Sequence, residues 1–330
     1  MDRLNRLWDR LGVVFGVLAV AQLSVALTGC DDSFAAPGIG SNAQTTDALA
    51  LLPDDADVYG MMNLEAARES EALEATLGEA GLGNVSPQGS ADFDEFVRLT
   101  GFDPATDLDR VYIAARDGGD RPERAAFVAY GRFDRERIER FVADHDETEF
   151  EVSTVNGTPV YVTAGDDGER GGFALASDRM VLAGDEATLL AMVGRVGTTG
   201  GETPAALQAL FDRVAFPDGA WFTARLDGAD VGGEGGGPGA IAAQAADGFV
   251  ISMAFESDGV PVRAFVQTKP EADAEDVADV VRGGLSAARM QAKDEPAVLD
   301  VLDRAEVEAE DGGVRVEAFL TPEFLAASRD

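Results

Sequence analysis

Apolar residues alternate with polar or small residues over several short stretches of the chain. The alternation is clearest over residues 249–256 and recurs over 314–318 and 111–115. A period of two residues is typical of β-strands. Turn-forming clusters such as Asn156 and Gly157 separate the strand patterns and suit tight hairpins. Because a two-residue connection joins antiparallel neighbours, the pattern predicts antiparallel sheets.

Segments with helical spacing lie between the predicted hairpins. The longest covers about Asp273 to Lys293, with apolar residues three and four positions apart. The helix after Asp185 is expected to end at Gly194, because glycine is common just past a helix. Strands and helices together predict an α+β fold with helices packed on antiparallel sheets. Helix N-caps are predicted at Asp134, Asp185, Thr203 and Thr321.

Three groups of similar residues occur twice along the chain in the same order. We interpret them as an internal duplication, with repeats over residues 49–202 and 203–330. A chance similarity of two β-rich halves is the alternative interpretation. The matched groups are residues 53–65 with 217–227, 126–128 with 264–266, and 149–160 with 306–316.

The first 29 residues have the pattern of a signal peptide. Three arginines lie within the first ten residues, and a run of 17 residues from Leu11 to Leu27 is apolar except for Gln22 and Ser24. A membrane-spanning helix needs roughly 20 apolar residues, so this run is short for a span. Its length favours a targeting segment, which we exclude from the fold.

The apolar run ends in Leu27, Thr28, Gly29 and Cys30. This sequence resembles the lipobox of bacterial lipoproteins. The resemblance implies that a diacylglyceryl group is attached to the sulfur of Cys30 and that a peptidase then cleaves before this residue. Added acyl chains would make the anchor stable, since each buried methylene contributes about 0.8 kcal/mol. An uncleaved amino-terminal helix with an incidental Cys30 is the alternative.

Lipidation predicts a protein of the cell envelope, held at a membrane through Cys30. Asp31 resembles an inner-membrane retention signal, so the expected location is the periplasmic face of the inner membrane or the outer membrane. Small and polar residues follow over 31–47 without an apolar face. Residues 30–48 are therefore predicted to form the lipidated cysteine and a flexible tether with a reach of about 20–25 Å.

The charge of the chain excludes some partners. The sequence has 61 acidic and 26 basic residues, giving a net charge of −35 and a pI of about 4.1. Such a surface repels nucleic-acid phosphates, so nucleic acid is not an expected partner. One cysteine and one histidine cannot form a disulfide or a typical zinc site. We accordingly predict no metal site and no cofactor.

Individual residues with catalytic potential have simpler interpretations. His145 is the only imidazole and lies near the end of a predicted helix, among acidic neighbours that favour its cationic form. Ser286 lies in a sequence similar to a nucleophile elbow, but inside a predicted helix, so a small packing residue is expected. Residues 232–239 are rich in glycine but lack the Lys-Ser/Thr ending of a phosphate loop, which predicts a mobile loop.

Acidic residues are too numerous to identify a catalytic pair. Two groups are dense in sequence, but neither matches a calcium-binding loop with alternating ligands and a final bidentate Glu. Weak binding of Ca²⁺ or Mg²⁺ stays open, as does a pair of carboxylates that meet only in the fold. The groups are Asp54, Asp55 and Asp57, and Asp103, Asp107 and Asp109.

The mature part is similar to exported lipoproteins of Gram-negative bacteria that carry duplicated α+β domains. Residues 173–185 carry this general resemblance, which transfers no active-site residue. The resulting hypothesis is a non-enzymatic, lipid-anchored protein that binds or scaffolds another envelope component. One alternative is a carrier of an apolar ligand such as a lipid, with inward Phe and Met residues lining its pocket. Another is a carboxylate-based hydrolase.

Overall fold

A computed structural model describes residues 43–71, 98–116, 124–144, 150–164, 168–198, 207–226 and 244–327. These residues form two compact units. The first unit contains residues 43–65 and 98–198, and the second contains 66–71, 207–226 and 244–327. Each unit combines helices with an antiparallel sheet, which confirms the predicted α+β class. The predicted repeat boundary between residues 202 and 203 lies outside the described residues.

Seven antiparallel strands form the sheet of the first unit. Their order is β1-β2-β3-β7-β6-β5-β4. Helix α5 packs on β6 and β7, and α4 belongs to the apolar cluster around Tyr161 and Leu175. The elements from β1 to α5, with the preceding helix, are α1 (Ala43–Leu51), β1 (Val58–Asn63), α2 (Leu64–Glu69), α3 (Pro104–Asp107), β2 (Leu108–Arg116), β3 (Arg124–Gly131), α4 (Arg135–Asp144), β4 (Glu151–Val155), β5 (Thr158–Ala164), β6 (Arg170–Ser177), β7 (Met180–Asp185) and α5 (Glu186–Arg195).

Five antiparallel strands form the sheet of the second unit, in the order β8-β9-β10-β12-β11. Helix α7 covers β12 and β11 on one sheet face, where Val277 and Ala278 pack on Val314 and Val316. The elements are α6 (Gln208–Phe211), β8 (Ala220–Arg225), β9 (Ala246–Met253), β10 (Val260–Thr268), α7 (Ala274–Gln291), α8 (Pro296–Asp303), β11 (Glu306–Glu310), β12 (Gly313–Leu320) and α9 (Pro322–Ala327).

The carboxyl-terminal end of the predicted tether is folded. Residues 43–48 belong to α1, and Thr45 and Ala48 are fully buried. The small and polar composition concealed this helix because its buried face contains a threonine whose hydroxyl pairs with Tyr112 at 3.0 Å. The tether prediction is therefore wrong for residues 43–48, and its remainder, residues 30–42, lies outside the described residues.

Most predicted helix caps are confirmed. Asp134 accepts a hydrogen bond from the Arg137 amide, and Asp185 accepts one from the Thr188 amide. The Thr321 hydroxyl likewise accepts from an amide of α9. The predicted end at Gly194 is wrong, because α5 continues through Arg195. After α5, the glycine with a left-handed backbone is Gly197, at φ 78°. The predicted cap at Thr203 lies outside the described residues.

The predicted hairpin between β4 and β5 is confirmed. Asn156 and Gly157 have φ values of 50° and 83°, which are the left-handed values that a two-residue hairpin turn requires. Between β11 and β12, the two connecting residues are Asp311 and Gly312, and Gly312 has φ 81°. Gly313 already pairs with Glu310 and therefore belongs to β12.

The strand orders agree only in part with the matches in sequence. Strands β1-β2-β3 and β8-β9-β10 have the same order in their units. The next neighbour of β3 is β7, however, and that of β10 is β12. The match of residues 149–160 with 306–316 instead aligns β4–β5 with β11–β12. Because β5 does not adjoin β3, this third match has no counterpart in strand order, and duplication stays a prediction.

Candidate functional site

Several predicted functional positions lie outside the described residues. These are Cys30 with the lipobox residues Leu27, Thr28 and Gly29, together with His145 and the glycine-rich residues 232–239. Their predicted roles stay predictions. Among the residues that the structure describes, no helix is both long enough and apolar enough to span a bilayer.

The acidic group near residue 103 is used in local structure. Asp103 caps α3 through the Ala105 amide, and Asp107 accepts a bond of 2.9 Å from the Asp103 amide. Asp109 lies 2.8 Å from Arg179 and is nearly buried. In the described parts of the chain, no group of three or more His, Cys, Asp or Glu side chains could hold a metal ion.

Asp55 and Ser286, two further polar residues considered in the sequence analysis, take part in ion pairs or hydrogen bonds within the fold. Asp55, from the group near residue 54, pairs with Arg116 at 2.8 Å and lies 3.8 Å from Arg124. Ser286 is on α7, as predicted, but it is exposed and donates to the Arg282 carbonyl at 2.9 Å. The packing role predicted for Ser286 is therefore wrong.

A charged network crosses one face of the sheet in the second unit. Arg263 on β10 and Arg315 on β12 both approach the same oxygen of Glu317, each at 2.5 Å. Arg315 also lies 2.6 Å from Glu310 on β11, and Arg213 lies 2.9 Å from that carboxylate. The Arg263 and Glu317 side chains are only 19% and 12% exposed. Because these side chains are largely buried, the loss of one charged partner would leave the other charge uncompensated and would destabilise the fold.

The segment after α6 covers this network. The Arg213 guanidinium lies 4.3 Å from the ring centroid of Phe265, and Arg263 lies 5.9 Å from that of Phe216. The Ala215 amide donates to the hydroxyl of fully buried Ser252. The rings of Phe265 and Phe216 lie against the two guanidiniums, and the segment after α6 is hydrogen-bonded to Ser252 beside them. We therefore interpret the charged network as structural.

An open apolar surface lies on β8 and β9 of the second unit. Phe222 pairs in register with Ile251, and the rings of Phe222 and Phe249 have centroids 6.0 Å apart. Met253 continues this row along β9. All four side chains are half-buried. We call these residues, Phe222, Phe249, Ile251 and Met253, the β8–β9 strip.

Helix placement explains why the β8–β9 strip is open. Helix α7 packs over β12 and β11, and the apolar cluster that it forms extends to Ala264 on β10. The opposite face of β9 is buried instead, through Val250 and Ser252. The larger side chains of β9 therefore lie on its less buried face.

Sequence reasoning found β9 but missed the strip. Apolar residues occur on both faces of β9, so alternation alone does not identify the buried face. Ser252 gave no usable signal, because its buried hydroxyl is satisfied by groups distant in sequence, the Ala215 amide and the Arg263 carbonyl. The first unit has a similar arrangement, with Met62, Ile113 and Phe127 half-buried on β1, β2 and β3.

A groove of about 420 Å³ lies between the carboxyl-terminal half of α7 and the start of β11. Arg282 and Arg289 line it, but both guanidiniums are engaged. Arg282 pairs with Glu275 and Asp279, each at 2.8 Å. Arg289 lies 3.2 Å from Asp303. The groove therefore offers no free charge for a ligand among these arginines.

Comparison with known proteins gives a distant likeness in structure. No protein-family model matches the sequence, and no curated protein matches it. Crystal form I of TP0453 is similar with a TM-score of 0.48 and 11% identity, over 86% of this chain and 96% of that one. Crystal form III has a TM-score of 0.46 and 10% identity, over 85% and 96%.

Proposed function

We propose that this chain is a non-enzymatic lipoprotein of the cell envelope that binds another envelope component through the β8–β9 strip. The lipid on Cys30 would hold the protein at the membrane, and the folded units would provide the binding surface. The observation that carries the binding proposal is the cluster of four large apolar side chains that stay partly exposed on one sheet face.

The β8–β9 strip is apolar although the chain as a whole is strongly acidic. The chain carries a net charge of −35, yet the strip has two aromatic rings, an isoleucine and a methionine without a charged residue among them. Contiguous apolar patches on soluble domains commonly mark binding surfaces. Aromatic residues and methionine are also enriched at protein interfaces. The composition therefore supports a partner with an apolar surface.

The sequence before residue 43 supports the anchor. A basic start, an apolar run and the lipobox from Leu27 to Cys30 follow one another with the expected spacing. The anchor is tested by the Cys30→Ser change in the full chain. We expect the variant to keep its signal peptide and to lose labelling with radioactive palmitate, because serine provides no sulfur for the lipid. Unchanged processing and unchanged labelling with radioactive palmitate would contradict the anchor.

The binding surface is tested by photo-crosslinking in intact cells. A benzophenone analogue of phenylalanine would replace Phe249 in the strip or, as a control, Phe141, a half-buried ring in the first unit. We expect a reproducible crosslinked partner from position 249 that is absent from position 141. Crosslinks of equal pattern at both positions, or only to abundant envelope proteins, would contradict the proposal.

A carrier of an apolar ligand is the second candidate, because the same strip could hold an acyl chain. Native mass spectrometry of the mature, non-lipidated protein distinguishes the two functions. A carrier should retain a lipid that is lost in the Phe249→Ser variant while its unfolding temperature stays close to that of the parent. A protein-binding surface should show no retained lipid in either form.

A further inference from the structure

We propose that β4 is a strand-addition site that binds an extended, basic segment of a partner polypeptide. This proposal goes beyond the β8–β9 strip, since β4 belongs to the first unit. Added strands gain main-chain hydrogen bonds from the open edge and specificity from alternate side chains.

Strand β4 is an open edge. It ends the strand order of its sheet and pairs with β5 alone among the described strands. Residues 151–154 are all exposed, and Val152 is 61% exposed. Three of its five residues, Val152, Thr154 and Val155, are β-branched and therefore suited to an extended backbone.

Strand β11, which ends the sheet of the second unit, is protected. Glu306, Glu308 and Glu310 place three carboxylates along its five residues. The Arg282 guanidinium donates to the Val307 carbonyl at 3.1 Å, which occupies an acceptor of that strand. Charged residues and covered backbone groups are common means of preventing edge pairing. Strand β4 has one charged residue and no proline, so it lacks this protection.

The surroundings of β4 favour a cationic partner. Arg170 lies 2.8 Å from Glu151 and 2.6 Å from Glu186. Its hydrogen bond lowers the pKa of Glu151, which is therefore ionised at neutral pH. One guanidinium thus serves two carboxylates, and the group keeps a net negative charge. A lysine or arginine on an added strand would lie close to this charge.

The opposite face of β4 favours an apolar residue at the next position. Val152 pairs in register with Tyr161, whose ring stacks on Phe173 at a centroid distance of 4.9 Å. Phe150 contacts Phe173 edge to face. A partner strand that alternates basic and apolar residues therefore matches both faces. A second copy of this chain matches less well, because two bodies of charge −35 repel each other.

Hydrogen–deuterium exchange with synthetic peptides tests the site. The probe is a blocked peptide of alternating valine and lysine, and the matched peptide has glutamate in place of lysine. We expect the lysine peptide to slow amide exchange over residues 151–155 and to leave residues 306–310 unchanged. Equal protection of both strands, no protection of β4, or equal binding of the glutamate peptide would overturn the proposal.

Matched variants locate the effect. Val152→Lys should weaken peptide binding about tenfold by placing a like charge beside the added strand. Met290→Lys removes another exposed apolar side chain, 71% exposed, and adds the same charge in the second unit, so it should bind as the parent does. Equal weakening by both variants would indicate general charge attraction and contradict a site at β4.

Sedimentation of the free protein tests the competing occupant. A concentration-dependent dimer that protects residues 151–155 and is abolished by Val152→Lys would assign the edge to a second copy and overturn the basic partner. These measurements use the mature protein without lipid. A failure of the Cys30 test therefore leaves the peptide result unaffected, and the reverse also holds.

Discussion

Thr45 on α1 and Tyr112 on β2 share a hydrogen bond of 3.0 Å between hydroxyl groups, although 67 residues separate them. Both residues are fully buried. A hydrogen bond between buried groups contributes about 0.5–1.5 kcal/mol to stability. The pair therefore fixes α1 on the sheet of the first unit.

The first prediction concerns this pair. Thr45→Val and Tyr112→Phe should each lower the free energy of unfolding by about 0.5–1.5 kcal/mol, because each removes the hydrogen bond between the two buried hydroxyls. The double variant should cost less than the sum of the single changes. Urea unfolding of the mature protein measures these values. Thr106→Val, at an exposed position, is the control and should change stability by less than about 0.5 kcal/mol. Additive costs would contradict the coupling.

The second prediction concerns the charged network of the second unit. Glu317→Ala should lower the free energy of unfolding by about 3–5 kcal/mol, because Arg263 and Arg315 lose a shared buried carboxylate. Asp300→Asn removes an exposed partner of Arg304 at 2.9 Å and should cost about 0–1 kcal/mol. Chemical denaturation of both variants measures the difference. Similar small costs would indicate that solvent screens the Glu317 cluster.

The third prediction compares two glycines of the first unit. A Cβ on Gly172 of β6 would lie 1.9 Å from the Tyr161 carbonyl oxygen, whereas one on Gly194 of α5 would have no neighbour within 4 Å. Gly172→Ala should therefore reduce the unfolding temperature. Gly194→Ala should raise stability by roughly 0.5–1 kcal/mol, since alanine is the better helix former. Differential scanning fluorimetry measures the change in unfolding temperature of each variant, which should be negative for Gly172→Ala and positive for Gly194→Ala. A stabilising change at residue 172 would contradict the close approach of β5 and β6.

The fourth prediction concerns alkaline pH. Burial, with a smaller contribution from nearby Tyr112, raises the pKa of Tyr130 to about 12. An unfolded tyrosine has a pKa of about 10. Because the folded pKa is the higher one, the contribution of neutral Tyr130 is complete below pH 10 and is lost as the pH rises towards 12.

Tyr130→Phe should therefore reduce the fall in unfolding temperature between pH 10 and pH 12. Burial also raises the pKa of Tyr59, so part of the fall should persist in this variant. Thermal unfolding measured at several pH values between 10 and 12 gives the slope of unfolding temperature against pH for the parent and for the variant. Identical slopes for the parent and the variant would show that Tyr130 ionises equally in the folded and unfolded chains.

Local features were predictable from sequence when neighbouring residues determined them. Asp134 and Asp185 cap helices because their carboxylates reach amides only three residues away. The Asn156–Gly157 turn also depends on its own backbone preferences. Such signals require no knowledge of distant parts of the chain.

Features that depend on distant partners were not predictable. The sequence around Thr45 is typical of a linker, and only the hydrogen bond with distant Tyr112 shows that this residue is buried in the fold. The buried face of β9 depends on which side α7 and the segment after α6 cover. The edge position of β4 depends on the neighbour of β3, which the sequence does not indicate.

The membership of residues 66–71 in the second unit has a consequence for biosynthesis. Ser70 donates to the Glu256 carbonyl at 2.9 Å, across a sequence separation of 186 residues. If the chain is exported as proposed, its amino terminus emerges first, and residues 66–71 would reach the far side of the membrane long before their partners. The second unit would then be completed only after most of the polypeptide has been translocated. Separate expression of residues 205–330 would omit residues 66–71 and should yield a less stable protein. Co-expression of the preceding part of the chain should restore this stability.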